Sequence, residues 1–204
     1  MVTIARIKAI LMTPKAEWVQ IAAEPMSVRS IMLGWVMPLA AIGPVAKLIA
    51  SQLIRYAGDG MHVPPPLASA LTEAVLGYLL SLVAVYLLSR IVNGLAVTFK
   101  GKRDHVQALK LSAYGATAAY LAGAFQIWPR LEILEVAGLY SLYLIFAGLP
   151  ILMHVPRKRA LAYTVVTMLA GIGLTILLTL TVLWTKDMFS PDIPASAYNY
   201  TPPA

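Results

Sequence analysis

The chain has 204 residues, of which 59% are hydrophobic and 12% charged, with a net charge of +7 and no cysteine. A soluble domain carries roughly 45–50% apolar and about 25% charged residues, so the apolar excess excludes an ordinary water-soluble fold of this size. The missing cysteine excludes disulfides, thiolate metal sites and a cysteine nucleophile.

Residues 1–29 read as a basic amphipathic tail. Ile4, Ile7, Ile10 and Leu11 recur at helical spacing with Arg6 and Lys8 off that stripe; Pro14 interrupts it, and Trp18 and Ile21 resume it. The pattern predicts a helix lying in the headgroup layer with Trp18 as its interface anchor, the alternative being a short helix packed on the loops. A spanning helix needs about 20 mostly apolar residues, and five segments supply them. The first, over 30–54, contains Pro38, Gly43 and Pro44, which predict kinks, and carries Lys47 in its second half. The second, over 72–92, runs between Glu73 and Arg90. The third, over 109–128, is rich in Ala, Gly, Tyr and Thr and reads as a helix packed on neighbours. Its Gly115, Ala119 and Gly123 form a small-residue row of the kind that lets helix backbones approach closely in a membrane. The fourth and fifth cover 133–153 and 160–184. The expected architecture is all-α: a polytopic membrane helical bundle with five transmembrane helices over 30–184, followed by a disordered extracytoplasmic tail over 185–204.

The connections differ in charge. Arg6, Lys8, Lys15 and Arg29 precede the first span; Lys100, Lys102, Arg103 and Lys110 join the second to the third; Arg157, Lys158 and Arg159 join the fourth to the fifth. Only Arg55, Arg130 and Lys186 fall on the other side. Basic loops stay cytoplasmic, so the N-terminus is expected inside and the C-terminus outside a cell (inner) membrane. The alternation holds only for an odd number of crossings. The charge clusters lie between apolar runs, so the expected partners are anionic lipid headgroups, a membrane protein or a second copy of the chain, and not nucleic acid.

No catalytic constellation emerges. His62, His105 and His154 fall in separate loops and form no metal-ligand spacing. There is no phosphate-binding loop, nucleophile elbow or paired-histidine zinc motif, and no cofactor or enzymatic activity is expected. Glu73 and Arg90 are far enough apart along a helix, about 25 Å, to reach opposite interfaces. Lys47 lies a turn or two below the surface at a depth shared with Glu73 and Glu135, which predicts an intramembrane ion pair. The polar aromatics Tyr78, Tyr86, Tyr114, Tyr120, Tyr140 and Tyr143 need hydroxyl partners, from helix–helix hydrogen bonds or a ligand cavity.

These residues also carry a resemblance. Pro14, Trp18, Ile21 and Glu24 stand just before a Pro-containing first span. The central loop reads Val92-Asn93-Gly94-Leu95-Ala96, Phe99-Lys100-Gly101 and Ala108 to Tyr114. The fourth span reads Gly138-Leu139-Tyr140-Ser141-Leu142-Tyr143 and Ala147-Gly148-Leu149-Pro150. The last loop reads Val155-Pro156-Arg157-Lys158-Arg159-Ala160, with Tyr163 following. The chain resembles a bacterial member of the Yip family, five-pass membrane proteins named for interacting with Ypt/Rab GTPases. The resemblance implies a cytoplasmic N-terminus and an extracytoplasmic C-terminus, and for eukaryotic members a role in vesicle budding and membrane shaping. This chain lacks their long N-terminal region, their Asp-Leu-Tyr-Gly-Pro motif and the proline a turn after Tyr114.

The leading functional expectation is a non-enzymatic membrane protein that organises membrane or partner proteins. Its contact residues would be Arg6, Lys8, Lys100, Lys102, Arg103, Arg157, Lys158 and Arg159. The alternative is a small transporter, permease or channel with a polar site between the first, second and fourth spans, built around Lys47 and the Pro-broken first helix.

Overall fold

The computed structural model describes residues 4–53 and 65–189; His62, Arg55 and most of the expected C-terminal tail lie outside the described residues. All regular structure among the described residues is helical. Two short helices, α1 (Ile4–Met12) and α2 (Pro14–Ala23), form an N-terminal hairpin. Pro14 takes the first position of α2, where a missing N–H costs nothing.

The first crossing is assembled from pieces. The hydroxyls of Ser27 and Ser30 each accept from the other's backbone N–H at 3.1 Å, a reciprocal cap that starts α3 (Val28–Ile31). A π-helical turn over Met32–Val36 follows, then α4 (Met37–Ala40) and α5 (Ile42–Leu53). Both expected proline kinks have a local cause. Pro38 has no N–H to donate to Gly34, and the wider turn just before it, with the Met37 N–H on the Met32 carbonyl, makes room for its ring. Pro44 follows the break at Ala41.

Helix α6 (Leu67–Leu95) is continuous. The third segment comprises α7 (His105–Gly115), α8 (Thr117–Ala122) and a 3₁₀ turn over Gly123–Ile127. A 3₁₀ stretch over Pro129–Leu139 leads into α9 (Tyr140–Leu152), and α10 (Arg157–Phe189) ends the described chain. Helices α6 and α10 overrun the expected 72–92 and 160–184. Hydropathy marks only the hydrocarbon-length core, whereas helical hydrogen bonding continues until a proline intervenes, here Pro66 and Pro156.

Among the described residues, four segments, Val28–Gln52, Leu67–Leu95, Ile133–Leu152 and Lys158–Thr181, are long and apolar enough to cross a bilayer. Exposed ridges run along the second (Leu71, Val75, Leu79, Val83) and the last (Leu161, Val165, Leu169, Ile172, Ile176, Leu180). Apolar surface of this extent is supplied with a solvent by lipid, not water. The third segment is different in kind. Every residue from Ala108 to Gly115 is buried, and α7 packs against α2, α3, α6 and α9. Lined by protein rather than lipid, it needs no high hydropathy, and its interruption at Ala116 is tolerated because neighbouring groups take up the freed backbone: the Ala119 N–H donates to the Ser141 hydroxyl at 2.9 Å.

The small-residue row on this segment does not face one partner. A Cβ on Gly115 would lie 2.7 Å from Ile145 of the fourth span, and one on Gly123 would lie 2.9 Å from Gly43 of the first. Ala119 meets Gly138. Gly115 and Ala119 thus face the fourth span, and the 3₁₀ winding after Ala122 turns Gly123 toward the first.

Candidate functional site

The N-terminal hairpin departs from a helix floating in the headgroup layer. Ile10, Trp18 and Ile21 are fully buried. Trp18 fits against Gly148 of α9, where the absent side chain leaves room for the indole, and its Nε1 donates to the Leu144 carbonyl at 3.0 Å. Trp18 is therefore a core residue and not the interface anchor expected from its position near a basic tail. Its ring meets Tyr114 edge-on, and Tyr114 in turn lies 4.4 Å from the Trp35 ring, whose Nε1 donates to Thr117 at 3.1 Å.

Polar residues around this aromatic column tie the two hairpin helices to each other and, through Lys110 and the Gln107 amide on the Ala22 carbonyl at 3.0 Å, to α7. Lys110, only 1% exposed, sends its ammonium to the C-terminus of α2, donating to the carbonyls of Ile21 at 2.7 Å and Glu24 at 2.6 Å, with Ala22 at 3.4 Å. The last carbonyls of a helix have no internal partners and carry partial negative charge, so a cation there answers both needs. Arg6 of α1 grips Glu24 with both terminal nitrogens, Nη1 at 2.6 Å from Oε2, and its Nε lies 3.0 Å from the buried Glu17. Tyr114 adjoins the same guanidinium and donates its hydroxyl to the Met26 sulfur at 3.7 Å. Arg6, expected among the headgroup contacts, is thus engaged inside the protein, and Lys110 is a structural cation rather than a loop charge.

The Arg6 hydrogen bond holds the Glu24 carboxyl below its ordinary value of 4.5, and burial opposes it. A carboxyl whose folded value is depressed contributes stability that is complete above the unfolded value and lost as pH falls through the folded one. Hydrogen exchange of residues 4–23, corrected for its intrinsic pH dependence, is expected to stay slow down to about pH 5 and to accelerate below about 4.5. In Glu24→Gln that pH-dependent step disappears; an unchanged step would mean that another group controls it.

The remaining basic residues form an outward face at the same end of the bundle. The loop after α6 closes on itself, the Gly101 N–H donating to Ala96 at 2.7 Å, and is joined to the loop before α10 by the Lys102 N–H, which donates to Met153 at 2.9 Å. A Cβ on Gly101 would lie 2.7 Å from Val155 and 2.8 Å from the Met153 carbonyl, so glycine is required there. Below them the Phe99 and Tyr163 rings stack at 4.8 Å, and the Tyr163 hydroxyl donates to the Val92 carbonyl. Lys8, Lys100, Lys102, Arg103, Lys158 and Arg159 are all exposed on this end, Arg159 reaching the Thr98 carbonyl at 3.4 Å. The Arg157 side chain lies outside the described residues.

At the other end, Lys47 Nζ lies 2.5 Å from Glu73 Oε1. Glu135 makes no ion pair among the described residues. The polar aromatics have varied contacts, Tyr140 and Tyr143 placing their rings 5.3 Å apart. Tyr140 donates to the Leu11 carbonyl at 2.8 Å, Tyr86 meets His105 edge-on, and Tyr78 lines an apolar surface groove. No group of three or more candidate metal ligands occurs among the described residues.

Sequence reasoning missed Lys110 and Glu17 as interior residues. The available signal was local: Lys110 stands between Leu109 and Leu111 within a buried-type run, and Glu17 immediately precedes the aromatic Trp18.

The residues that knit this end together, from Pro14 to Tyr163, fall within a match to the family described as the Yip1 domain, over residues 8–178. The chain is similar to the Inner membrane protein YohC of Escherichia coli strain K12, with 26% identity over 156 residues covering 73% of this chain and 80% of the relative. The protein of the same name from Escherichia coli O6:H1 matches to the same extent. No solved structure matches. With the family's span covering most of the chain and an all-helical bundle bearing lipid-length apolar helices, this chain belongs to the Yip1-domain family of integral membrane proteins.

Proposed function

We propose that this protein is a non-enzymatic, multi-pass inner membrane protein that organises membrane or partner proteins through its basic end, which faces the cytoplasm. The observation that carries the reading is the exposure of Lys100, Lys102, Arg103, Lys158 and Arg159 on two loops tied by the Lys102–Met153 hydrogen bond. Two other cations of the same end, Arg6 and Lys110, are engaged internally. The exposed set is presented on a fixed platform instead of on separate mobile loops, which favours a recognition role over topology-setting alone. Each basic residue near an anionic leaflet is worth about 1 kcal/mol. The name of the relatives supports the inner membrane, and the charge asymmetry supports a cytoplasmic N-terminus and an extracytoplasmic C-terminus.

Changing Lys100, Lys102 and Arg103 together to Gln is expected to weaken retention of phosphatidylglycerol by the purified full chain by about 3 kcal/mol, roughly a hundredfold. Native mass spectrometry reads the retention. Because the chain has no cysteine, a single cysteine placed in either terminus reports orientation by labelling. Unchanged retention with unchanged orientation would leave these charges as topology signals only. The transport reading has less support: the groove beside the interrupted first span, lined by Ala41, Pro44, Val45, Ala74, Val75 and Tyr78, is almost wholly apolar.

A further inference from the structure

The N-terminal hairpin stands upright beside α9, and its tip lies far from the basic end. Three contacts in succession fix this. At the turn between α1 and α2, the Leu11 carbonyl accepts from the hydroxyl of Tyr140, the first residue of α9, at 2.8 Å. Midway along α2, Trp18 bonds the Leu144 carbonyl and packs on Gly148. Past the last turn of α2, the Glu24 carbonyl meets Lys110, whose neighbour Leu111 also borders Gly148. Helices α2 and α9 therefore run side by side in one direction. The 13 residues of α9 rise about 20 Å toward the basic end, and the 10 of α2 about 15 Å. Helix α9 is the basic-side part of a segment long enough to cross the bilayer, Ile133–Leu152. The hydrocarbon is about 30 Å thick, so a turn level with Tyr140 stands near its middle. The hairpin enters from the basic side, reaches that depth and returns.

The tip has the chemistry that this depth requires. Hydrocarbon offers no hydrogen bonds, so a turn placed in it has to find partners for its own polar groups. Thr13 sends both its N–H and its hydroxyl to the Ala9 carbonyl, at 2.8 and 3.0 Å, and its carbonyl accepts from the Glu17 N–H at 3.1 Å. Pro14 brings no N–H, and the Leu11 carbonyl has Tyr140. The carboxylates of Glu17 and Glu24 share Arg6 between the two helices. Facing outward are Met12, 72% exposed, and Ala16 and Val19 on the following turns. Apolar side chains so exposed at mid-depth have acyl chains as their solvent. A lysine facing lipid buries its stem among the chains and is met by phosphates and water drawn inward. That is how Lys8 and Lys15, also exposed, are accommodated.

We propose that the hairpin is a re-entrant element: its outward face is a contact surface for the acyl chains of the leaflet at the basic end, with Met12 near the middle of the bilayer. Insertion to this depth does not depend on what the basic residues recognise. Because the chain has no cysteine, single cysteines can carry a nitroxide at chosen positions of the full chain, reconstituted in vesicles of phosphatidylethanolamine and phosphatidylglycerol. Leu79, exposed within α6, is the reference for hydrocarbon, and Val97, exposed in the loop after α6, is the reference for water. Collision with oxygen, which concentrates among acyl chains, is compared with collision with a water-soluble nickel chelate. At Met12→Cys the oxygen-to-nickel ratio is expected to match Leu79→Cys and to exceed Val97→Cys severalfold. A ratio like that of Val97→Cys would place the tip in water and overturn the proposal. Weak collision with both reagents would also overturn it, by showing that protein, such as a second copy of the chain, covers the face. Ala16→Cys, a small change at an exposed position just past the tip, gives the same reading if Met12→Cys fails to fold.

Discussion

Lys110→Met is expected to cost about 2–4 kcal/mol and to detach the N-terminal hairpin while leaving the membrane helices assembled. Methionine preserves the apolar stem, so packing around α7 changes little and the effect isolates the ammonium. Its removal leaves the carbonyls of Ile21 and Glu24 without their donor at the end of α2. An unsatisfied buried acceptor costs about 1–3 kcal/mol, and two are exposed to that penalty. Part is recovered because a buried cation no longer needs desolvation. The Arg6–Glu24 contact survives at first, but it joins α1 to the residue just after α2 and cannot hold both to α7. The check is limited trypsin digestion in detergent. Lys8 and Lys15 lie on the hairpin and are exposed, yet cleavage needs an unwound backbone, so docked helices resist and undocked ones are cut. Faster cleavage at these two sites, with a thermal midpoint for the remaining bundle close to the original, is the expected result. Cleavage at the original rate would show that the apolar contacts and the Trp18–Leu144, Tyr140–Leu11 and Gln107–Ala22 hydrogen bonds hold the hairpin without Lys110.

How much of this was legible beforehand depends on whether the constraint was local. Lipid demands long apolar helices, and that demand is written residue by residue; α6 and α10 are plain in the sequence for that reason. The third segment was less plain by hydropathy because its surroundings are protein, so Ala, Ser, Thr and Tyr serve where Leu would serve against lipid. The depth argument for Lys47 needed only helix rise and the span ends, and the structure joins it to Glu73 and not to Glu135. The hairpin's docking was not legible, because it rests on pairs distant in the chain. Trp18 needs the notch at Gly148, and Lys110 needs the open end of α2. From sequence, a tryptophan beside basic residues looks like an interface anchor, and a lysine next to a basic loop looks like part of it. Only the joint presence of a helix end and a cavity of indole size turns both into core residues. The same non-local geometry explains why Pro14, Trp18, Glu24, Lys110, Gly148 and Tyr163, scattered over most of the chain, belong to one end of the fold.

Gly148→Val is expected to expel Trp18 from the core and to cost about 3–5 kcal/mol, comparable to deleting a buried tryptophan. A Cβ at position 148 would lie 2.5 Å and 2.7 Å from the Trp18 ring atoms Cε2 and Cδ2 and 2.9 Å from Leu111 Cδ1. The Leu111 methyl can turn away, but the indole is rigid, fully buried and tied to the Leu144 carbonyl, so no small adjustment relieves the overlap. Overpacking of this kind ordinarily costs about 1–3 kcal/mol when neighbours can shift. Here the ring must leave, and its buried area and hydrogen bond go with it. The double variant Trp18→Ala with Gly148→Val separates steric conflict from simple loss of α9 flexibility. Valine then partly fills the space the indole vacates, and the double variant is expected to be more stable than the sum of the single changes by about 1–3 kcal/mol. Additive costs would mean that the two residues do not meet. Trp18 fluorescence in a background lacking Trp35, Trp128 and Trp184 provides the second reading: Gly148→Val shifts emission to the red as the indole reaches a polar environment, whereas Gly148→Ala, which adds the same first clashing atom and no more, shifts it less. Since the hairpin carries Lys8 and Lys15 onto the basic end, its release should also change how that end meets an anionic leaflet. Gly148, buried in the fourth span, would then govern a surface it does not touch.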